Sequence, residues 1–392
     1  METVKRSTFW VLIVMYLSYF VVAFPDGAFT IAWLGMEEEF SLTVAHTGYM
    51  VVAGLGMYSI ASALLERLSR VFKLGNIDLL GTIVLGIGFI CLGLSPNFAA
   101  VLISIAIYGL GMGMIASSVS SYMAKHFTAR HMNLLYCVWG LGATLSPFIV
   151  ARMILRFDWR VGYFTLAVIA FAVSVIILVS LMKRVWDREE PVQAKAAEVT
   201  DAATKKYLNK KWHQILEVLT CFVLGGMDYS LVFFAGIVMT ARGLDLETVA
   251  LFPMAYYIAI TVGRLVFAWL AKWIKDITAI RIGLVLGLVG IIVLNATNSI
   301  VGMALAGFGI APILPCILHD TSNRFESRIL NKMVGYEVAA YSAGIAVLFF
   351  AISQVLEFIS LESLFPIGMG LLSITFLLNE VLEFAARINR KM

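Results

Sequence analysis

Charged residues are scarce in this sequence: Asp, Glu, Lys and Arg occupy only 14% of its 392 positions. Hydrophobic residues make up 61%, and the mean hydropathy is +0.91. Soluble globular domains carry about 25% charged residues, so this composition excludes a water-soluble domain and makes the bilayer the solvent. The alternation of polar and apolar residues that a membrane β-barrel needs is lacking too, which leaves helices as the spanning elements.

Cysteine is also scarce. The four cysteines lie singly inside apolar runs, without the spacing of a metal site or of a disulfide framework. The sequence lacks a Walker loop, paired catalytic carboxylates and a Ser-His-Asp set, and its Gly109-x-Gly111-x-Gly113 follows no strand, as a dinucleotide fingerprint would. We therefore predict no enzyme activity, no metal and no cofactor. Topology alone explains the net charge of +4, so no nucleic-acid partner is predicted.

Apolar runs of about 20 residues, the length that crosses a bilayer as a helix, alternate with short polar joints. Twelve such spans are predicted, at 8–34, 44–65, 77–95, 98–123, 132–154, 160–183, 213–240, 248–271, 279–297, 299–319, 333–356 and 362–385. We predict an all-α membrane protein with an N-terminal six-helix bundle over 1–183, a cytoplasmic linker over 184–212 and a C-terminal six-helix bundle over 213–392.

The positions of Lys and Arg predict the orientation of the chain. Of its 29 Lys and Arg residues, 24 fall at the termini, in the linker or in joints on the same side, and four fall in joints on the opposite side. Cytoplasmic segments of membrane proteins carry the excess of basic residues. We therefore expect a multi-pass protein of the cell inner membrane with both termini in the cytoplasm.

The two halves repeat one another. The first span carries Asp26 after Pro25, and the seventh carries Asp228 after Gly225 and Gly226, at a similar depth. Two pseudo-symmetric six-span halves joined by a cytoplasmic linker resemble the parallel-repeat plan of the major facilitator superfamily. The resemblance implies two six-helix bundles that hold a substrate between them near mid-membrane.

The joint after span two carries a recognisable pattern. Ser62-x-x-x-Glu66-Arg67-x-Ser69-Arg70 resembles the superfamily's Gly-x-x-x-Asp-Arg-x-Gly-Arg, with both glycines replaced by serine and the aspartate by glutamate. In the family this loop latches the halves on the cytoplasmic side. The resemblance implies gating roles for Glu66, Arg67 and Arg70, although a topology anchor explains the same basic residues equally well.

Segments of both halves are similar to the fucose-permease-like sugar branch of that superfamily. They are 131–136, 139–147 and 158–163 in the N-terminal half, and 263–265 and 307–315 in the C-terminal half. Sugar symporters of this branch carry an acidic residue and an asparagine in span four. Here that span has serines and no carboxylate, which argues against proton coupling through span four.

Ionisable groups within a span cost about 2.5–3.5 kcal/mol on insertion scales, which makes them functional candidates. Asp26 follows Pro25, which removes a helix hydrogen bond, and Asp228 occupies the related position of span seven. We predict that these two carboxylates take up and release a coupled proton. At the kink, Asp26 can instead satisfy the freed backbone groups.

Arg264 and Glu337 share a depth in spans eight and eleven, so they are expected to pair directly or through a solute. An ion pair that fixes the C-terminal half fits the same two residues. Hydroxyl and aromatic groups that would hydrogen-bond and stack on a sugar complete the predicted solute-binding set. They are Tyr108, Ser118, Tyr136, Trp139, Tyr229, Tyr256 and Tyr341.

The sequence thus predicts a monomeric secondary transporter that moves a small polar organic solute, a sugar or an organic acid, by alternating access with protons as the coupled ion. An alternative keeps the fold and reverses the direction, with proton-driven efflux of amphipathic drugs or lipid-like molecules. Gly140-x-Gly142-x-x-x-Ser146-Pro147 resembles a stretch found in exporters, and the 26 Phe and 18 Met residues suit an apolar cavity.

Overall fold

A computed structural model describes residues 2–127, 129–183, 186, 211–271, 273–325 and 327–391. Their regular secondary structure is helical. In chain order the helices are α1 (Glu2–Val22), α2 (Phe24–Phe40), α3 (Ala45–Ala63), α4 (Leu65–Ser69), α5 (Leu74–Gly93), α6 (Phe98–His126), α7 (Ala129–Ile154), α8 (Trp159–Met182), α9 (Lys211–Ala241), α10 (Leu246–Leu270), α11 (Asp276–Thr297), α12 (Ile300–Ile310), α13 (Ile313–Arg324), α14 (Ser327–Phe358) and α15 (Leu364–Lys391), with a 3₁₀ turn at Leu361–Ser363.

Twelve stretches of the described chain are long and apolar enough to cross a membrane. Each corresponds to one predicted span, with ends that differ by a few residues, so the predicted all-α architecture of twelve transmembrane helices is confirmed. The chain divides into two compact units, Met1–Ala197 and Glu198–Met392, each with six of the spans. The predicted domain boundaries remain a prediction, because nearly all of 184–210 lies outside the described residues.

Two spans are interrupted, each beside a proline. The first span breaks at Ala23 between α1 and α2, and Pro25 occupies the first turn of α2, where its missing N–H leaves no bond unmade. The tenth span breaks at Ala311 and Pro312 between α12 and α13. Broken helices inside a membrane are tolerated where neighbouring groups satisfy the freed backbone. The first break places Asp26 in the first turn of a new helix.

Polar caps fix several helix ends outside the membrane. Asn97 accepts the backbone N–H of Ala100 at the start of α6, and Asp245 accepts that of Thr248 at the start of α10. The bonds from the backbone and hydroxyl of Thr248 hold the pKa of Asp245 below its usual value. These caps set where the spans begin and so the depth of each polar side chain in them.

Candidate functional site

A cluster of polar side chains in the second unit surrounds Asp228, in the middle of α9. The Tyr256 hydroxyl on α10 donates to one oxygen of the Asp228 carboxylate, and the Tyr341 hydroxyl on α14 donates to the other. Tyr256 is fully buried. Three different helices thus contribute to this group, which we call the Asp228 cluster: Asp228, Tyr256, Tyr341 and Arg264.

Arg264 is the cation of the Asp228 cluster. It lies on α10, two turns beyond Tyr256, and its charge acts on both Asp228 and Tyr341. Its Nε is buried and has no hydrogen-bond partner within the described residues. A cation with an unused donor beside a carboxylate can bind an anionic or hydroxyl group of a ligand. The structure therefore brings together four residues that the sequence placed on three separate spans.

Glycine allows the helices of the Asp228 cluster to approach. A Cβ added to Gly225 would lie 2.2 Å from the backbone oxygen of Tyr341, and one added to Gly226 would lie 2.4 Å from the Cβ of Leu348. Side chains at these positions would force α9 and α14 apart. The glycines one turn before Asp228 thus position the Tyr341 hydroxyl against the carboxylate.

We expect Gly225→Ala to destabilise the second unit by about 1–3 kcal/mol, the usual cost of overpacking, because the added Cβ forces α9 and α14 apart. Gly370→Ala on α15 is the matched control, since a Cβ there meets nothing within 4 Å. Thermal unfolding of the two purified variants checks this prediction. Equal Tm values for both would contradict it.

Glu337 belongs to a second buried network of the same unit. The Thr321 hydroxyl lies 2.9 and 3.0 Å from the two oxygens of its carboxylate, and the charged groups that act on it are Glu217 and Arg324. Arg264 acts on Asp228 instead. Among the described residues Arg264 and Glu337 therefore do not pair directly, and their pairing through a solute stays a prediction.

Arg324 is the centre of this second network, which we call the Arg324 network. Its guanidinium lies 2.7 Å from Glu217 and 2.8 Å from Asp320, and it donates to the Asn379 side-chain oxygen at 3.1 Å. Arg324 is 1% exposed and Glu217 is 0% exposed. The network joins the beginning of α9 to α13 and α15. Buried charges this close require one another, because either one alone would be costly.

In the first unit, Asp26 lies near a group of tyrosines. Its charge acts on Tyr58 of α3, and Tyr58 in turn interacts with Tyr136 of α7. The ring of Tyr136 contacts that of Tyr19 with centroids 6.0 Å apart, edge to face, and Tyr136 is 44% exposed. A Cβ added to Gly27 would lie 2.3 Å from the Ala143 oxygen, so α2 and α7 approach closely beside Asp26.

Several of the other predicted solute-binding residues contact aromatic rings or the backbone of their own helix. The buried Tyr108 ring lies 5.8 Å from that of Phe89, and the ring of Tyr229 lies 5.5 Å from that of Phe349. The Ser118 hydroxyl donates to the Met114 oxygen of its own helix at 2.7 Å. Trp139 is half-buried on α7. Their roles in binding remain predictions.

The predicted gating residues lie between the second and third spans, Glu66 and Arg67 on the short helix α4 and Arg70 directly after its end. The side chains of Arg67 and Arg70 are exposed, whereas that of Glu66 lies outside the described residues. An exposed basic turn fits both a latch and a topology anchor. Gating by these residues therefore also remains a prediction.

Sequence reasoning missed several buried ionisable groups. Asp78 on α5 and Glu217 on α9 are both fully buried, but each lies close to the end of its predicted span, where a charge is unremarkable. Arg324 was assigned to a joint for the same reason. The signal that could have found them is a polar residue on the helix face that also carries the small and apolar packing residues. Within the described part of the chain, no group of three or more His, Cys, Asp or Glu side chains could hold a metal.

Comparison with known proteins identifies the family and the fold. The model of the Major Facilitator Superfamily matches residues 15–348. A crystal structure of the peptide transporter POT in complex with sulfate has a TM-score of 0.73 at 17% identity, and the match covers 97% of this chain and 95% of that chain. A crystal structure of a mutant of the nucleoside transporter NupG has a TM-score of 0.75 at 11% identity, with 96% of this chain and 99% of that chain covered.

A bacterial homolog of the human lysosomal transporter Spinster, in an inward-facing and unoccupied conformation, has a TM-score of 0.66 at 14% identity, with 98% of each chain covered. No curated protein matches the sequence. At identities this low the structural matches establish the fold alone, because one fold hosts many substrates.

Proposed function

The chain belongs to the Major Facilitator Superfamily, and we propose that this multi-pass membrane transporter moves a small polar organic solute by alternating access, in symport with protons. One observation carries the proposal: the Asp228 carboxylate lies inside a membrane span, accepts hydrogen bonds from Tyr256 and Tyr341, and has Arg264 as its cation. Intramembrane ionisable groups with named partners are characteristic of proton and substrate pathways.

The chemistry of the Asp228 cluster suggests how a proton and a solute are coupled. While Asp228 is ionised, its carboxylate accepts hydrogen bonds from both tyrosine hydroxyls and attracts the guanidinium of Arg264. Protonation removes the negative charge, so Arg264 and the two hydroxyls become available to a solute carboxylate or to sugar hydroxyls. Release of the solute restores the original bonds and favours loss of the proton. Proton binding and solute binding thus assist one another.

Asp26 is proposed as the second coupling group. The break in the first span and the nearby Tyr58 and Tyr136 give it a polar setting in an otherwise apolar bundle. Tyr108, Ser118, Trp139, Tyr229 and Glu337 are the remaining candidates for solute contact, and the exposed turn at Arg67 and Arg70 is the candidate gate.

The finer identity of the transporter belongs to the same proposal. We place it in the fucose-permease-like branch with a sugar or organic acid as solute, as a monomer of the cell inner membrane with both termini in the cytoplasm. The motifs of the C-terminal half and the distribution of Lys and Arg support this assignment. The peptide and nucleoside transporters of similar fold add short peptides and nucleosides to the compounds worth testing.

A thermal-shift screen of the purified protein tests the solute class. A ligand at 100 times its Kd stabilises the folded state by about 2.7 kcal/mol, so a sugar or organic acid that binds should raise Tm clearly. Tyr341→Phe and Tyr256→Phe should reduce the shift, since each removes a hydrogen-bonding hydroxyl of the Asp228 cluster. Stabilisation by lipids alone, unchanged in both variants, would contradict the proposal.

Efflux is the second candidate, favoured by the Gly140-x-Gly142-x-x-x-Ser146-Pro147 stretch. In the structure, Gly142 faces the Phe20 oxygen, and Ser146 and Pro147 face Gly27 beside Asp26, so this stretch borders a proposed coupling group. A drug-sensitivity panel in an efflux-deficient host separates the candidates. An exporter of amphipathic compounds raises tolerance to some of them, whereas an importer of polar solutes changes none.

A further inference from the structure

Asp78 is a fully buried carboxyl group on α5 that the proposed function does not use. One of its oxygens, Oδ2, lies 2.8 Å from the hydroxyl of Ser18 on α1. The other, Oδ1, has no hydrogen-bond partner within the described residues. Ser18 is also fully buried. The carboxyl group therefore has one polar neighbour and an otherwise apolar environment.

The hydrogen bonds of Ser18 indicate whether the Asp78 carboxyl group carries a proton. Its hydroxyl lies 3.1 Å from the Val14 oxygen of its own helix and 2.8 Å from Asp78. A hydroxyl has one proton to donate and two lone pairs that accept. When it donates to Val14, only a proton on Asp78 completes the contact between Asp78 and Ser18. A protonated Asp78 thus satisfies both short contacts, whereas an ionised one competes with Val14 for a single proton.

The charges around Asp78 favour the same state. The helices packed against α5 include α1, α4, α6 and α8. From these, the titratable group on which the charge of Asp78 acts is Tyr19 of α1; among the described residues no basic side chain acts on Asp78. An ionised carboxylate buried without a cation is so costly that such groups neutralise instead. Asp228 and Glu217 differ in this respect, because each has an arginine.

We propose that Asp78 is a proton-binding site of the first unit, which holds a proton at neutral pH and exchanges it reversibly with solvent. The use of this proton in transport rests on the proton coupling proposed above, whereas its presence on Asp78 does not.

Infrared spectroscopy of the purified protein tests the proposal through the carbonyl stretch of a protonated carboxyl group. At neutral pH, the spectrum of the wild type minus that of Asp78→Asn should contain such a band. Raising the pH should remove the band while circular dichroism shows the helices intact. A difference spectrum without the band would overturn the proposal, and so would a band that persists until the helices unfold.

A pair of serine variants keeps the test valid should Asp78→Asn not fold. Ser18→Ala removes the one hydrogen-bond partner of the carboxyl group, so the band should move to higher frequency. Ser174→Ala is the matched control: that buried serine on α8 donates to the Ala170 oxygen of its own helix at 3.0 Å. Identical band positions in the two variants would show that Ser18 does not bond a protonated Asp78 and would overturn the proposal.

Discussion

Replacing Asp228 by Asn is expected to reduce proton-driven accumulation of the solute to background while leaving exchange of solute across the membrane measurable. The substitution keeps the size of the side chain and removes its ability to gain and lose a proton. Tyr256, Tyr341 and Arg264 stay in place, so a solute can still bind. The measurement compares accumulation with counterflow in vesicles that contain the purified variant.

Asp245→Asn is the matched control for this prediction. Asp245 belongs to the same unit but caps α10 at its beginning, outside the membrane. Asparagine is an equally good N-cap, so this variant should accumulate solute like the wild type. Tyr256→Phe should give an intermediate loss, because a hydrogen bond to a charged group is worth about 1.5–3 kcal/mol. Undiminished accumulation by Asp228→Asn would exclude Asp228 as a coupling group.

Replacing Arg324 by Met is expected to cause the largest loss of stability, about 3–5 kcal/mol, read as a fall in Tm. The substitution leaves Glu217 and Asp320 without the cation that lies 2.7 and 2.8 Å away. Removing one partner of a buried ion pair strands the other charge in an apolar environment. Adding Glu217→Gln to Arg324→Met should recover part of the loss, because the stranded charge is gone.

Arg281→Met is the control for the loss of a guanidinium. Arg281 is bound to Glu380 at 2.7 Å, but both side chains are about one-third exposed, at 34% and 32%. Exposed pairs contribute about 0–1 kcal/mol, so this variant should unfold close to the wild type. Similar Tm values for Arg281→Met and Arg324→Met would show that the Arg324 network is not held together by its buried charge.

The fold could be predicted from the sequence because an apolar segment of about 20 residues has one stable conformation in a bilayer. Runs of about 20 apolar residues in a bilayer must satisfy every backbone group internally, so they form helices. The proline signal was equally direct: Pro25 predicted a break, and the structure has it at Ala23. The ends of spans were less certain, because polar residues occur on both sides of a membrane surface.

The candidate site followed only in part. Asp228, Tyr256, Tyr341 and Arg264 were singled out as polar groups in spans, but their convergence depends on how three helices pack, which spacing along the chain does not reveal. The choice between Glu337 and Asp228 as the partner of Arg264 depends on the same packing. Near the end of a span, as at Asp78, the sequence distinguishes a buried polar residue from a solvated one only by its place on the helix face that carries the packing residues.

The coupled movement of solute and proton is measured in sealed vesicles that contain wild-type protein and a pH-sensitive dye. A solute found by thermal shift is added outside with no proton gradient present. We expect the interior to acidify as solute enters, and Asp228→Asn to abolish this acidification. Solute entry without any change in internal pH would contradict proton symport.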